Sequence, residues 1–247
     1  MSVDYNGVMK LAICIPAYNE EKTIAQVIEA VPKHFAGVTS MKVFVINDGS
    51  TDQTVDRALE AGRKIFPHSV DVIEVQTNKG LANAFFTGIQ KALSWDADFI
   101  VNIDADGQYR SEEIPALLDP LLKNEADMVI GDRLVETLRF MSWAKKYGNM
   151  AGSWFLRKLT GIKVRDASSG FRAYTRKAAQ SIQVHSKHTY THENLIQAHY
   201  EGLRIAQVPV TFIARTDGTS SRLISGVLKH IFKSLQGIFA AWRRWRR

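Results

Sequence analysis

One cysteine, Cys14, in 247 residues leaves no disulfide to form, and it sits inside an apolar run, as expected of a protein kept in a reducing cytosol. The lone thiol also argues against zinc: the histidines nearest one another, His185, His188 and His192, match no other ligand motif and read as loop and surface residues. No run approaches the roughly 18 apolar residues that span a bilayer. The opening "MSVDYNGVMK" has no apolar stretch of signal-peptide length, so no leader is expected. Internal repeats, low-complexity blocks and an evident linker are also missing. Acids are absent from 225–247, where Lys229, Lys233, Arg243, Arg244, Arg246 and Arg247 carry +6 of the net +7. The basic balance therefore belongs to the tail, which speaks against a nucleic-acid binder coated with cations over one face.

With 45% hydrophobic residues, the chain can bury a full core as one α/β domain. Five short runs, 11–18, 41–48, 69–76, 98–105 and 126–132, are β-branched and nearly continuous in apolar residues, as strands covered on both faces of a parallel sheet should be. Helical patterns fill the gaps at 20–35, 51–65, 81–93 and 111–122. The second follows a capping-box spacing from Ser50 to Gln53, and the fourth is expected to start at Ser111. Alternating strands and helices imply right-handed crossovers and a Rossmann-like, mostly parallel sheet flanked by helices. From 133 to 165 the strand rhythm gives way to a helix rich in Trp, Lys and Arg.

In such sheets ligands gather beyond the carboxyl ends of the strands. There this chain places Pro16, Tyr18, Asn19 and Glu20, then Asp48, Gly49 and Ser50, then Asn78, Lys79 and Gly80, and finally Asp104, Asp106 and Gln108. Asp and Gly after strands also turn the chain and cap helices, and "NDGSTDQ" alone does not separate the two readings. "DADGQ" goes further, because a cap needs one short acceptor and this stretch supplies three. In extended backbone, side chains two apart point the same way, so Asp104, Asp106 and Gln108 are expected to aim their oxygens at one point. Two carboxylates and an amide are hard ligands suited to Mg²⁺ or Mn²⁺, which keeps positions open for the oxygens of a diphosphate.

Taken in order, "IPAYNEE" (15–21), "VINDGSTDQT" (45–54), "NKGLANAFFTG" (78–88), "DADGQY" (104–109), "IGDR" (130–133) and "RDASSGFRAY" (165–174) resemble the inverting family-2 glycosyltransferases of the GT-A fold. Among them the chain looks most like the dolichol- or polyprenyl-phosphate sugar synthases, typified by dolichol-phosphate mannose synthase. Two departures are Ala82, where a second glycine is frequent, and Ser168, where Thr is common. The resemblance implies that Pro16, Tyr18 and Glu20 line the nucleoside pocket, with Glu20 toward the ribose and Asp48 facing the base. It implies that Asp104, Asp106 and Gln108 hold the metal and the donor diphosphate, and that Arg133 and Arg215 meet phosphate. Fixed cations there would stabilise a departing nucleoside diphosphate opposite an oxocarbenium-like centre. Asp104, Asp106, Arg133 and Arg215 are thus the expected catalytic set, and the donor is GDP-mannose or a UDP-hexose.

The acceptor decides whether a base is needed. A hydroxyl acceptor requires a carboxylate to take its proton, and Asp166 is the candidate; a lipid monophosphate is already anionic and needs only cations to position it. Residues 139–172 supply Arg139, Lys145, Lys146, Arg157, Lys158, Arg165 and Arg172. "WAKKYGN" (143–149) resembles the family's phosphate-binding stretch, with lysines where arginine is frequent. Lys146, Asn149, Arg165, Ser169 and Arg172 are the expected phosphate ligands.

The tail repeats apolar residues at helical spacing, Leu228, Ile231, Phe232, Leu235, Ile238, Phe239, Trp242 and Trp245, beside Lys and Arg only. That is the pattern of a helix lying in a membrane interface. The expected organisation is a GT-A domain over 1–224 and an amphipathic basic interface helix over 225–247. The expected enzyme is metal-dependent and inverting, and makes a polyprenyl-phosphate sugar as a peripheral protein on the cytosolic face of the membrane. The resemblance leaves room for a separate membrane-anchoring subunit, and nucleic acid is not an expected partner. Two alternatives stay open: a family-2 enzyme with a hydroxyl acceptor and Asp166 as base, and a non-catalytic peripheral membrane or nucleic-acid-binding protein.

Overall fold

The computed structural model describes residues 8–65, 69–186, 190–215 and 227–246, and for 227–233 the backbone alone. In chain order the elements are β1 (Lys10–Ala17), α1 (Ile24–Glu29), β2 (Ser40–Asn47), α2 (Thr54–Ile65), β3 (Val70–Glu74), α3 (Leu81–Ser94), β4 (Phe99–Asn102), α4 (Ile114–Leu122), β5 (Met128–Asp132), α5 (Trp143–Thr160), β6 (Arg172–Thr175), α6 (Arg176–Ser181), α7 (Tyr190–Tyr200), β7 (Ile205–Pro209) and α8 (Val227–Trp245). The strands form one sheet in the order β3-β2-β1-β4-β6-β5-β7. Only β6 runs against its neighbours, β4 and β5.

The central strand explains the layering. Alternate residues of β1 point to opposite faces. Leu11, Ile13 and Ile15 join α1, α2 and α4 in one core. Ala12 and Cys14 join α3, α5, α6, α7 and α8 in the other. Burial pushes the Cys14 thiol up to about 12, so it remains an inert packing group.

All five expected strands form, as does the helix expected at 81–93, but several details differ. β4 stops at Asn102, so "DADGQ" lies beyond it in a turn. α1 is confined to 24–29. The expected capping box is not made: Ser50 Oγ accepts the Asn19 amide, and Asp52 Oδ1 accepts the Thr54 amide at the head of α2 instead. At 111–113 the chain makes a 3₁₀ turn, and Ser111 Oγ donates to the Val27 carbonyl rather than capping α4. β6 and β7 were not expected from the sequence. β6 has four residues and begins with an arginine, and β7 is a half-buried edge strand without an apolar run.

The second half of α8, expected as part of an interface helix, packs on the domain. Ile238 and Ala241 are buried in the second core, and Trp242 and Trp245 pack against it, where α8 meets α5 and α7. Arg244 Nη1 donates to Glu193 Oε1 of α7 at 3.0 Å, which pins the end of the helix. The side chains of Leu228, Lys229, Ile231, Phe232 and Lys233, and Arg247, lie outside the described residues. No helix among the described residues is long and apolar enough to cross a membrane.

Candidate active site

β1, β2 and β4 run parallel, so their carboxyl ends open on one rim. A cavity of about 600 Å³ lies there, lined by Pro16, Tyr18, Glu20, Asp48, Asp104, Asp106 and Gln108 on one side and by α5, α7 and α8 on the other. The loops of the rim are tied to each other. Asp48, buried, accepts the amides of Lys79 and Gly80 at 2.9 and 2.8 Å, fixing the third loop to the second. Gly49 has φ +76°, and a Cβ there would lie 2.9 Å from the Asn78 nitrogen, so only glycine lets these loops approach so closely.

Asp104 occupies the floor. Its Oδ1 is enclosed, with no hydrogen-bond partner among the described residues. Burial first, and then repulsion from Asp106, push its carboxyl up to about 7, against the pull of Arg133. A Cβ on Gly170 would come within 2.9 Å of Asp104 Oδ2, which explains the glycine of "SSGFR": it leaves room for this carboxylate. An enclosed carboxylate oxygen without a donor, beside a second carboxylate, is suited to a cation.

Gln108 reaches the same cavity from a turn rather than from extended backbone, with Gly107 at φ +70°, so the alternation that predicted its direction does not apply. Gln108 Nε2 donates to the Ile213 carbonyl at 2.8 Å, which ties this turn to the segment that carries Arg215 and engages the amide nitrogen rather than the oxygen expected as a metal ligand. No group of three or more His, Cys, Asp and Glu that could hold a metal occurs among the described residues. Asp104 and Asp106, with the Gln108 amide oxygen as the expected third ligand, fit Mg²⁺ or Mn²⁺ as a sparse seat that leaves the other positions to donor oxygens and water.

Three cations face these carboxylates. Arg215 Nη2 donates to both oxygens of Glu20 at 2.8 and 2.6 Å, and its Nη1 lies 3.7 Å from Asp106 Oδ2. Lys145, from the first turn of α5, lines the same cavity, and burial first, then Arg133 and Arg215, lower its pKa. Arg133 is buried and grips Asp166 in a two-pronged pair, Nε to Oδ2 at 2.6 Å and Nη2 to Oδ1 at 2.8 Å, while its guanidinium lies 5.1 Å from the Phe212 ring centre. Burial raises the Asp166 carboxyl, but the charge and hydrogen bonds of Arg133 and the Ser168 hydroxyl outweigh it and hold the group below its ordinary range. With both oxygens engaged and its proton affinity depressed, Asp166 is badly disposed to act as a general base.

Four expected phosphate ligands are placed elsewhere. Arg172, fully buried, donates to the carbonyls of Ser169, Thr191 and Ala167, each at 2.8 Å, and so crosslinks backbone. Arg165 pairs with Asp132 and lines a separate cavity of about 20 Å³. The hydroxyl of Ser169 is buried 3.2 Å from that of Tyr109. Lys146 is not among the residues that line the cavity, whereas its neighbour Lys145 and, one turn on, Asn149 are.

The far wall was not legible in the sequence. Tyr190, Thr191 and His192 open α7 on the cavity, and Ser234 and Leu235 of α8 close it. His192, read as a surface or loop residue, is buried, with Nδ1 3.4 Å from Thr191 Oγ1. His185 lies 3.2 Å from Glu193, and His188 lies outside the described residues. A signal existed in the polar run "YTHEN" (190–194), which in a helix carries no apolar stripe and is buried here except at Thr191.

Comparison with known proteins fits this geometry. The sequence pattern of Glycosyl transferase family 2 matches residues 12–183. UDP-N-acetylglucosamine–dolichyl-phosphate N-acetylglucosaminyltransferase of Methanococcus voltae is 33% identical over 216 residues, 81% of this chain and 84% of that protein. Undecaprenyl-phosphate mannosyltransferase of Micrococcus luteus is 29% identical over 246 residues, 95% and 96% of the two chains. Among solved structures, glucosyl-3-phosphoglycerate synthase from Mycobacterium tuberculosis, in complex with Mn²⁺ and UDP-glucose, superposes with a TM-score of 0.70 at 22% identity, covering 97% of this chain and 80% of that one. At that identity the last comparison speaks to the GT-A fold alone.

Proposed function

Since the chain belongs to Glycosyl transferase family 2 and is a glycosyltransferase, we propose that it moves a sugar, with inversion, from a nucleoside-diphosphate sugar to a polyprenyl or dolichyl phosphate, as a peripheral protein on the cytosolic face of a membrane. The observation that carries the reading is the make-up of one cavity: two carboxylates on its floor, three cations above them, and the nearby candidate base, Asp166, locked on Arg133. A phosphate acceptor arrives already ionised and needs charge and alignment; a hydroxyl acceptor needs the proton acceptor that Asp166 is badly placed to be. Relatives that act on dolichyl and undecaprenyl phosphates support the same acceptor class.

In this reading Pro16, Tyr18 and Asp48 receive the nucleoside, and Asp104 and Asp106 would hold Mg²⁺ or Mn²⁺. Such an ion would supply positive charge to offset the charge that grows on the leaving diphosphate. Arg215 exchanges part of its hold on Glu20 and Asp106 for phosphate oxygens. Lys145 and Asn149 orient the acceptor phosphate, whose oxygen attacks the anomeric carbon from the face opposite the departing diphosphate. Arg133, aligned by Asp166 and Ser168, contributes positive potential rather than a mobile contact. The donor base and sugar are left as GDP-mannose or a UDP-hexose.

Incubation with radiolabelled UDP- and GDP-sugars, against polyprenyl phosphate and the corresponding free polyprenol, tests the proposal. Label should enter the organic phase with the phosphate only; transfer to the free alcohol alone would refute it. Asp166→Asn gives an independent reading. Loss of alignment at Arg133 should cost about tenfold, whereas removal of a general base costs about 10²–10⁴-fold.

A further inference from the structure

In a displacement with inversion the anomeric carbon lies between the departing diphosphate and the attacking oxygen. With the diphosphate at Asp104 and Asp106 and the acceptor at Lys145 and Asn149, the hexosyl ring occupies the cavity between them. The wall of that stretch is the head of α7, Tyr190, Thr191 and His192. Tyr190 stands at the Asp104 end: after burial, the Asp104 charge does most to push its phenol above the ordinary range. His192 stands at the α5 end, where a Cβ on Gly152 would lie 3.7 Å from its Nε2.

The Tyr190 hydroxyl is the unexplained group. The residue is 3% exposed, and its ring stacks on Phe85 with 4.3 Å between centres and 25° between planes, so the hydroxyl is held where it is. It has no hydrogen-bond partner among the described residues. Tyr109 shows the ordinary outcome for a buried phenol: its hydroxyl lies 3.2 Å from Ser169 Oγ and accepts the Gly170 amide at 3.3 Å. His192, 7% exposed, has Nδ1 against Thr191 Oγ1 at 3.4 Å, which turns Nε2 toward α5. Further along the helix, Leu195, Ile196 and Ala198 fill the second core with apolar groups, so polarity on α7 is concentrated where it meets the cavity.

We propose that the Tyr190 hydroxyl and the His192 ring form the subsite that reads the hydroxyl groups of the transferred hexose, Tyr190 on the diphosphate side and His192 on the acceptor side. The proposal rests on the donor and acceptor positions given above. A phenol and an imidazole both pair with hydroxyls as donor or acceptor. Such a subsite selects among sugars, because a hydroxyl in the wrong place leaves a buried group unmet.

The test is calorimetric titration of the full chain, in Mn²⁺, with UDP-glucose, UDP-N-acetylglucosamine and GDP-mannose, beside UDP and GDP. For whichever sugar nucleotide the unaltered chain binds, Tyr190→Phe and His192→Leu should each weaken binding about three- to tenfold, the worth of one hydrogen bond, and change the matching diphosphate less than twofold. Retained diphosphate binding also shows that a variant is folded. His192→Gln, which keeps a donor and an acceptor, should recover part of the loss. Tyr190→Phe removes a buried hydroxyl that the sugar-free protein does not pair, so the melting temperature should hold or rise.

A structural water between Tyr190 and Asn194, whose buried amide atoms also have no partner among the described residues, would give the opposite result: a lower melting temperature in Tyr190→Phe with sugar-nucleotide binding unchanged. That would overturn the proposal. So would equal weakening of sugar nucleotide and diphosphate, a diphosphate bound with none of the three sugar nucleotides, or a loss confined to KM for polyprenyl phosphate, which would place His192 on the acceptor. Failure to bind any of the five would refute the donor assignment and this subsite together. A chain that binds its sugar nucleotide as expected and labels no lipid phosphate would refute the acceptor assignment and leave the subsite standing.

Discussion

The two walls of the cavity were built by different rules. On the donor side, Pro16, Asp48 and Asp104 stand where parallel strands end, and the sheet brings them together wherever their side chains turn. On the other side the cations sit on a helix, a connecting segment and the short strand β6, and packing decides their fate: Lys145 lines the cavity, Lys146 does not, Arg165 pairs with Asp132, and Arg172 is buried as a backbone crosslink. Carboxylates at strand ends can be assigned from a sequence pattern, because the topology fixes the place. Cations spaced along a helix cannot, because a 100° rotation per residue separates neighbours by function.

The sharpest break in that contrast is Asp106→Asn. Taking one charge from a two-carboxylate seat should lower turnover by about 10³-fold, near the upper end for removal of a preorganised electrostatic group, with the circular dichroism spectrum unchanged. Turnover near the unaltered level, or full activity in EDTA, would show that the donor wall works without a cation.

Arg172 and Arg165 compare two arginines of the opposite side by stability. Arg172→Met should lower unfolding free energy by about 3 kcal/mol or more in urea titrations, because three buried carbonyls lose their donor. Arg165→Ala, whose side chain is 61% exposed, should cost less, about 1–2 kcal/mol, because the buried Asp132 loses this partner but keeps the Leu134 amide. Equal losses would mean that the two arginines do the same work.

Lys145→Ala and Lys146→Ala test adjacent residues. The first should reduce kcat/KM toward a short-chain soluble phosphate acceptor by about 10²-fold. The second should change it less than threefold. Reversal of that order would put the phosphate on the other side of α5.

The last comparison is a slope. Asp104 has a folded pKa of about 7 against an ordinary 3.8, so between those values the folded protein holds more protons than the unfolded one. Metal-free protein should therefore lose stability as pH rises from about 4 to 7. Mn²⁺ should raise the melting temperature more at pH 8 than at pH 6, and Asp104→Asn should flatten both dependences. A melting temperature that falls through this window as much in Asp104→Asn as in the unaltered chain would remove Asp104 as the cause.

Much of the fold was legible because it depends on local composition. Runs such as "AICIPA" and "KVFVIN" are nearly continuous in apolar residues, which suits strands covered on both faces, and the five strands so recognised all form. β6 escaped because its arginine looks polar until three carbonyls are found to satisfy it. The tail shows how one pattern serves two environments. A stripe of Ile, Phe and Trp beside Arg describes a helix that needs an apolar neighbour and a polar one, and α5 and α7 are as apolar a neighbour as lipid.

By itself, the sequence determined the parallel α/β layering, the rim on which the site stands and the pairing of Asp104 with Asp106, because periods of two and 3.6 residues and strand-end turns are local properties of the chain. Only the tertiary structure decided that Gln108 is tied to Ile213, that Asp166 is held by Arg133 and that α7 supplies a wall. Each of these is a choice between partners distant in the chain. A carboxylate, an amide or a ring has the same chemistry in every arrangement, and what it does is set by whichever neighbour folding brings within reach.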